Sequence, residues 1–191
     1  MEKETLFQLW MKRNPYWEKR YQDTLINPYS DYGRGATQYA EDRGKVFGGG
    51  YEVFIVAFFL GLYSGVRRQL TTDTSKKKTF GFPIQQWGNL ESRNSRTAYG
   101  EDLRRYIFAA LVARTDVDFI ALDKGEVSPK EVVDALMTTM EEYANAGFRQ
   151  MAEMVDDNPN ALYKEGAFLE LFLPFIAGDG EGDDGTPESL D

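Results

Sequence analysis

The stretch Tyr51 to Tyr63, YEVFIVAFFLGLY, carries apolar residues on every side of a helical wheel. A helix of that kind has no face to offer water, so its neighbours must enclose it. The β-branched and aromatic content also suits a strand, but the length favours a helix. Its dense apolar part, Val53 to Leu62, falls well short of the roughly 20 residues that cross a bilayer. The expected architecture is therefore an all-α domain of five to six helices packed around a central helix at 51–64.

The second strong local signal is Ser128-Pro129-Lys130-Glu131. Serine before a proline at the first helical position, with glutamate three residues after the serine, forms a capping box that satisfies the free N–H groups of a helix start. The stripe that follows, Val132, Val133, Leu136, Met140, Tyr143, Ala144, Phe148 and Met151, predicts a long helix with one buried face, running to about Val155. Gly100 to Arg114 is amphipathic, with Leu103, Ile107, Ala110 and Leu111 inward. Asn158-Pro159 repeats the start signal for a last helix ending near Pro174.

Residues 1–26 form an aromatic, helix-like segment interrupted at Asn14-Pro15, where the proline ring restricts the preceding residue. Residues 27–50 read as an irregular, glycine-rich connection, and a short β-hairpin fits 70–86. One domain is expected over 1–177. The tail 178–191, GDGEGDDGTPESLD, has the low hydrophobicity and single-sign charge of a disordered segment.

The chain of 191 residues has no histidine and no cysteine. That excludes histidine-dependent triads, thiolate nucleophiles, disulfides and ordinary zinc or copper sites, and it fits a reducing compartment. No catalytic residue, cofactor or metal site is assigned. The Gly48-Gly49-Gly50 run lacks the Gly-Lys-Ser/Thr ending of a phosphate loop and reads as a hinge. The acidic groups Asp116, Asp118, Asp123 and Asp179, Glu181, Asp183, Asp184 do not meet the EF-hand register. A carboxylate-dependent hydrolase, drawing on Glu141, Glu142, Glu153, Glu165 or Glu170, is the third and weakest functional reading.

Charge is divided unevenly. The net charge is −9, yet residues 64–105 carry nine bases and four acids, whereas 106–177 carry five bases and thirteen acids. The ordinary reading of the positive island is a solvated loop. Its functional reading is a phosphate-tracking surface of Arg67, Arg68, Lys76, Lys77, Lys78, Arg93, Arg96, Arg104 and Arg105, with Phe80, Phe82 and Trp87 as stacking groups. A protein with a pI near 4.7 repels phosphate over the rest of its surface, so docking to a protein partner is preferred and DNA contact is the alternative.

Two blocks, Val46-Phe47 through Tyr51-Glu52-Val53-Phe54 and Ala57 to Leu60-Gly61-Leu62, and Glu141-Glu142-Tyr143-Ala144-Asn145-Ala146-Gly147-Phe148, resemble those of the dnd-system-associated protein 4 family, over about residues 45–155. The resemblance implies a bacterial accessory protein beside DNA-phosphorothioation and phage-defence genes, and carries no catalytic residue; the cytoplasm is the expected location because no apolar stretch is long enough to span a bilayer and no signal-peptide pattern opens the sequence. Within the second block Tyr143, Ala144 and Gly147 suit close helix packing. Asn145 has no evident core purpose, and with Glu142 and Arg67 it is a candidate buried polar cluster or partner contact.

Overall fold

The computed structural model describes residues 4–30, 46–88 and 101–176. These form seven α-helical segments and one two-stranded ladder, a mostly helical domain that is not purely all-α. In order they are α1 (Leu6–Met11), β1 (Trp17–Glu18), α2 (Asn27–Tyr29), α3 (Gly50–Ser64), β2 (Lys77–Lys78), α4 (Glu101–Arg114), α5 (Phe119–Lys124), α6 (Pro129–Asp157) and α7 (Ala167–Ile176). The expected disordered tail lies outside the described residues.

The core is the crossing of α3 on α6. Gly61 of α3 faces the Tyr143 carbonyl, and Gly147 of α6 faces the Ala57 carbonyl. Ala57 and Gly61, like Tyr143 and Gly147, are four residues apart and so share one helix face. The two backbones meet where neither carries a bulky group, an approach that also suits Cα–H to carbonyl contacts. Around this point Val53, Phe54, Ala57, Phe58 and Leu60 pack with Met140, Tyr143, Ala144, Phe148 and Met151, all buried.

The start of α6 follows the capping box: the Glu131 N–H donates to Ser128 Oγ at 3.2 Å, and the Ser128 N–H donates to Glu131 Oε2 at 2.8 Å. All eight residues of its predicted inward stripe are buried. The N-terminal segment breaks near Asn14-Pro15, as expected. Beyond β1 it continues as a 3-10 turn (Lys19–Tyr21) and a π-helical turn (Gln22–Ile26) leading into α2.

Two expectations need correction. The hairpin expected within 70–86 does not form; β2 instead pairs antiparallel with β1, Trp17 opposite Lys78 and Glu18 opposite Lys77. Burial of the Trp17 ring and of Glu18 holds β1 in place as the edge to which β2 adds. The Asn158-Pro159 signal starts only a 3-10 turn, Ala161–Tyr163, and the last helix begins at Ala167 with Pro174 inside it. Along α3, the described residues leave part of one side open.

Candidate functional site

Among the described residues, helix α3 leaves one stripe uncovered. Val56, Phe59 and Tyr63 form the floor of an open groove of about 570 Å³, walled by Leu103 and Tyr106 of α4 and by Phe168, Leu169 and Phe172 of α7. Rings bracket it, Phe59 against Tyr106 at 5.9 Å and Tyr63 against Phe172 at 5.7 Å. Tyr63 is 51% exposed, Tyr106 57% and Leu169 60%, and Leu173, one turn beyond Leu169, is also exposed. Scattered apolar side chains on a surface are ordinary, but a contiguous apolar concavity is a candidate binding surface.

The chemistry of the groove is limited. Among the described residues its side-chain polar groups are the two tyrosine hydroxyls, and the hydrogen bond between Tyr63 and Tyr106 raises the Tyr63 pKa above the ordinary tyrosine value. With its pKa raised, the Tyr63 hydroxyl does not act as a base at neutral pH, and the arrangement suits binding by shape and desolvation.

One flank of α6 is a polar seam. Asp134 pairs with Arg13 at 2.5 Å, and Glu141 accepts the Tyr16 backbone N–H at 2.9 Å. Burial pushes the Glu141 carboxyl up to about 7, against the lowering effects of that N–H, Lys77 and Arg13. Glu142 holds Arg67 through Nε at 2.9 Å and Nη2 at 2.6 Å, and its backbone carbonyl accepts the Arg68 N–H at 3.1 Å. Buried Asn145 donates through Nδ2 to the carbonyls of Arg68 and Gln69 and to Glu18 Oε1, at 3.3, 3.0 and 3.3 Å. Its Oδ1 is buried with no hydrogen-bond partner among the described residues. Glu142 and Asn145 thus fasten the same stretch, 67–69, to α6.

Glu18 is the residue that sequence reasoning missed. It is buried at the seam, accepting from the Thr71 N–H at 2.8 Å and Asn145 and pairing with Arg20 at 2.7 Å. A single glutamate in an aromatic segment gives no local sign of this role.

The basic residues of 67–105 turn to different neighbours. Lys76 lies 3.6 Å from Asp73, Lys77 sits over the Tyr16 ring, and Lys78 donates to Gln22 Oε1 at 2.7 Å. Arg104 donates to the Trp87 carbonyl at 2.6 Å, while Arg105 pairs with Glu101 at 2.8 Å and lies over Phe7. Arg93 and Arg96 lie outside the described residues. Phe80 and Trp87 are buried in the core and Phe82 is half-buried with its edge on Tyr51, so the first two are closed to base stacking.

The other acidic candidates also resolve. Glu153 pairs with Arg149, and Glu165 and Glu170 are exposed. Asp118 caps α5 by accepting the Ala121 N–H at 2.8 Å. Among the described residues no group of three or more acidic side chains is arranged to hold a metal ion. At the glycine run, Glu52 Oε2 accepts the Gly48 N–H at 2.7 Å, so the chain's own carboxylate takes the position an anion would occupy at the start of α3.

Comparison of the chain with protein-family models, with curated proteins and with solved structures finds no match in any of the three. No described helix is long and apolar enough to cross a membrane.

Proposed function

We propose that this protein is a non-catalytic accessory protein that works by association, its partner docking in the groove between α3, α4 and α7. The observation that carries this reading is the uncovered stripe Val56, Phe59 and Tyr63, continuous with the exposed Leu169 and Tyr106. Burying apolar surface of this kind contributes about 25 cal/mol per Å², and the groove offers it without breaking any interior contact. The nucleic-acid alternative is less favoured, because Arg67, Arg104 and Arg105 are already held by the chain itself. The resemblance of residues 45–155 directs the choice of partners to the products of DNA-phosphorothioation and phage-defence loci.

The test is site-specific photocrosslinking in the native host. A photoreactive residue in place of Leu169 is expected to give a discrete adduct with another protein, and the same residue in place of the exposed Asp123 of α5 to give none. Equal adducts from both positions, or none from Leu169, would refute docking in the groove.

A further inference from the structure

We propose that the acidic segment 178–191 docks on its own chain, on the basic face built around the β1–β2 ladder, held there by charge and released by salt. The contact is separate from the groove and does not depend on what fills it.

The ladder makes one face out of two segments that lie far apart in the sequence. Pairing of Trp17 with Lys78 and of Glu18 with Lys77 sets Lys19 and Arg20 beside Lys76, and Lys19 Nζ donates to the Ser75 carbonyl. Asn145 donates to the Arg68 and Gln69 carbonyls and to the Glu18 carboxylate at once, which brings Arg68 to the same place. Residues 12–23 and 66–80 together carry nine bases and three acids. Adding Asp134, Glu141 and Glu142, the α6 carboxylates bonded to these segments, leaves nine bases against six acids. The remaining described residues carry seven bases against fourteen acids.

Three of these cations rest on neutral groups: Lys19 on the Ser75 carbonyl, Lys77 over the Tyr16 ring at 5.6 Å, and Lys78 on Gln22 Oε1 at 2.7 Å. A carbonyl, an amide or a ring does not cancel a full charge, so the face attracts an anion without breaking an ion pair. Arg13 and Arg67, already paired with Asp134 and Glu142, are not drawn on.

The segment fits this face by charge, origin and reach. Its fourteen residues hold six acids and no base, and the rest of the described surface, with two acids to each base, repels it. It starts two residues beyond α7. Phe168 lies against Phe47 and Phe172 against Tyr63, so α7 runs alongside α3 toward the end from which Val66, Arg67 and Arg68 depart. Fourteen residues span at most about 46 Å, slightly more than the length of the 29-residue α6. Joining acids and bases in one chain gives an effective concentration on the order of millimolar, so ion pairs of ordinary surface strength suffice.

The chain has no cysteine, so Gly182→Cys accepts a single nitroxide label among the acids. In the labelled full chain at low salt, the amide signals of Lys19, Arg20, Lys76 and Lys77 are expected to lose at least half their intensity relative to the reduced label, while those of Asp123 and Lys124 on α5 keep theirs. The loss disappears in about 0.5 M salt, where the screening length shrinks to a few ångströms. It disappears also in Asp179→Asn/Glu181→Gln/Asp183→Asn/Asp184→Asn, which alters no described residue, and weakens in Lys19→Glu/Lys76→Glu, at two exposed positions. Ladder signals that keep their intensity at low salt, or a loss spread evenly over the surface, would overturn the contact. A loss centred on Phe59 and Leu169 would place the segment in the groove and overturn it equally. Ladder amides that ignore the label but shift when a short oligothymidine is added would assign the face to nucleic acid instead.

Discussion

Adding one methyl group at the α3–α6 crossing tests the core of this fold directly. A Cβ on Gly61 would lie 2.7 Å from the Tyr143 carbonyl carbon and 3.1 Å from its Cα, with the oxygen nearer still. A Cβ on Gly147 would lie 2.6 Å from the Ala57 carbonyl carbon and 2.9 Å from its Cα. The obstacle in each case is backbone, which cannot rotate aside, so the two helices must separate by roughly an ångström. A gap of 0.5–1 Å forfeits about a quarter to a half of the dispersion energy of each atom pair, and overpacking alone costs about 1–3 kcal/mol. The separation here is felt by the ten buried side chains around the crossing, from Val53 to Met151. Alanine's better helix propensity returns about 1 kcal/mol. The net expectation for Gly61→Ala and for Gly147→Ala is a loss of about 3 kcal/mol or more each. Because one separation relieves both clashes, the double variant is expected to lose clearly less than the two single losses combined. Urea unfolding followed by the fluorescence of the buried Trp10, Trp17 and Trp87 reads these values. Gly65→Ala is the control: its φ is +67° and nothing lies within 4 Å of an added Cβ, so only the left-handed backbone cost of about 1–2 kcal/mol applies. Single losses below about 1 kcal/mol, or strict additivity, would refute the close crossing.

Two further changes probe the seam. Glu141 has its pKa raised in the folded state, so its protonated form is favoured there and its contribution to stability falls as pH rises from the ordinary 4.5 to about 7. Glu141→Gln keeps an acceptor for the Tyr16 N–H and removes the charge; relative to the parent it is expected to be neutral at pH 4 and more stable at pH 8, by at most about 3 kcal/mol, with thermal melts at the two pH values as the check and a pH-independent difference as the refutation. Asn145→Ala strips Arg68 O, Gln69 O and Glu18 Oε1 of a buried donor and should cost about 2–3 kcal/mol, with faster hydrogen exchange at the Arg68 and Thr71 amides; unchanged exchange there would show that the stretch 67–71 is held by other means.

What could be read from the sequence depended on how far apart the cooperating residues lie. The capping box at Ser128 and the stripe from Val132 to Met151 act within one helix, and both are where the spacing places them. Asn145 stood out because a polar residue inside an apolar phrase must find partners. Its partners, Glu18 and the carbonyls of 68–69, are 76 to 127 residues away and left no local trace. The ladder of β1 and β2 was hidden for the same reason: two-residue strands have no period to detect, and the lysines of β2 read as a loop. The short α5 was missed because Asp118, its cap, was weighed only as a cation ligand. The groove was half-legible. A helical wheel showed that α3 is apolar all round, but it cannot show which side its own chain leaves uncovered.

The seam and the groove also bear on each other. The half-buried Glu142 has its charge compensated by Arg67, and Asn145 holds the next two carbonyls of the same stretch. A polyanion that drew Arg67 away would leave that carboxylate without its partner, at a cost of about 1–3 kcal/mol, and would loosen the stretch 67–69 that is fastened to α6. Recognition through the basic segment therefore competes with folding, whereas occupation of the groove covers Val56, Phe59 and Tyr63 and opposes nothing in the interior. A ligand of the groove should raise the melting temperature by mass action, and a polyanion bound through Arg67 should raise it less than its affinity alone requires. Equal stabilisation per unit of binding energy from both would show that Arg67 can be surrendered freely, and the preference for the groove over the basic segment would lose its physical ground.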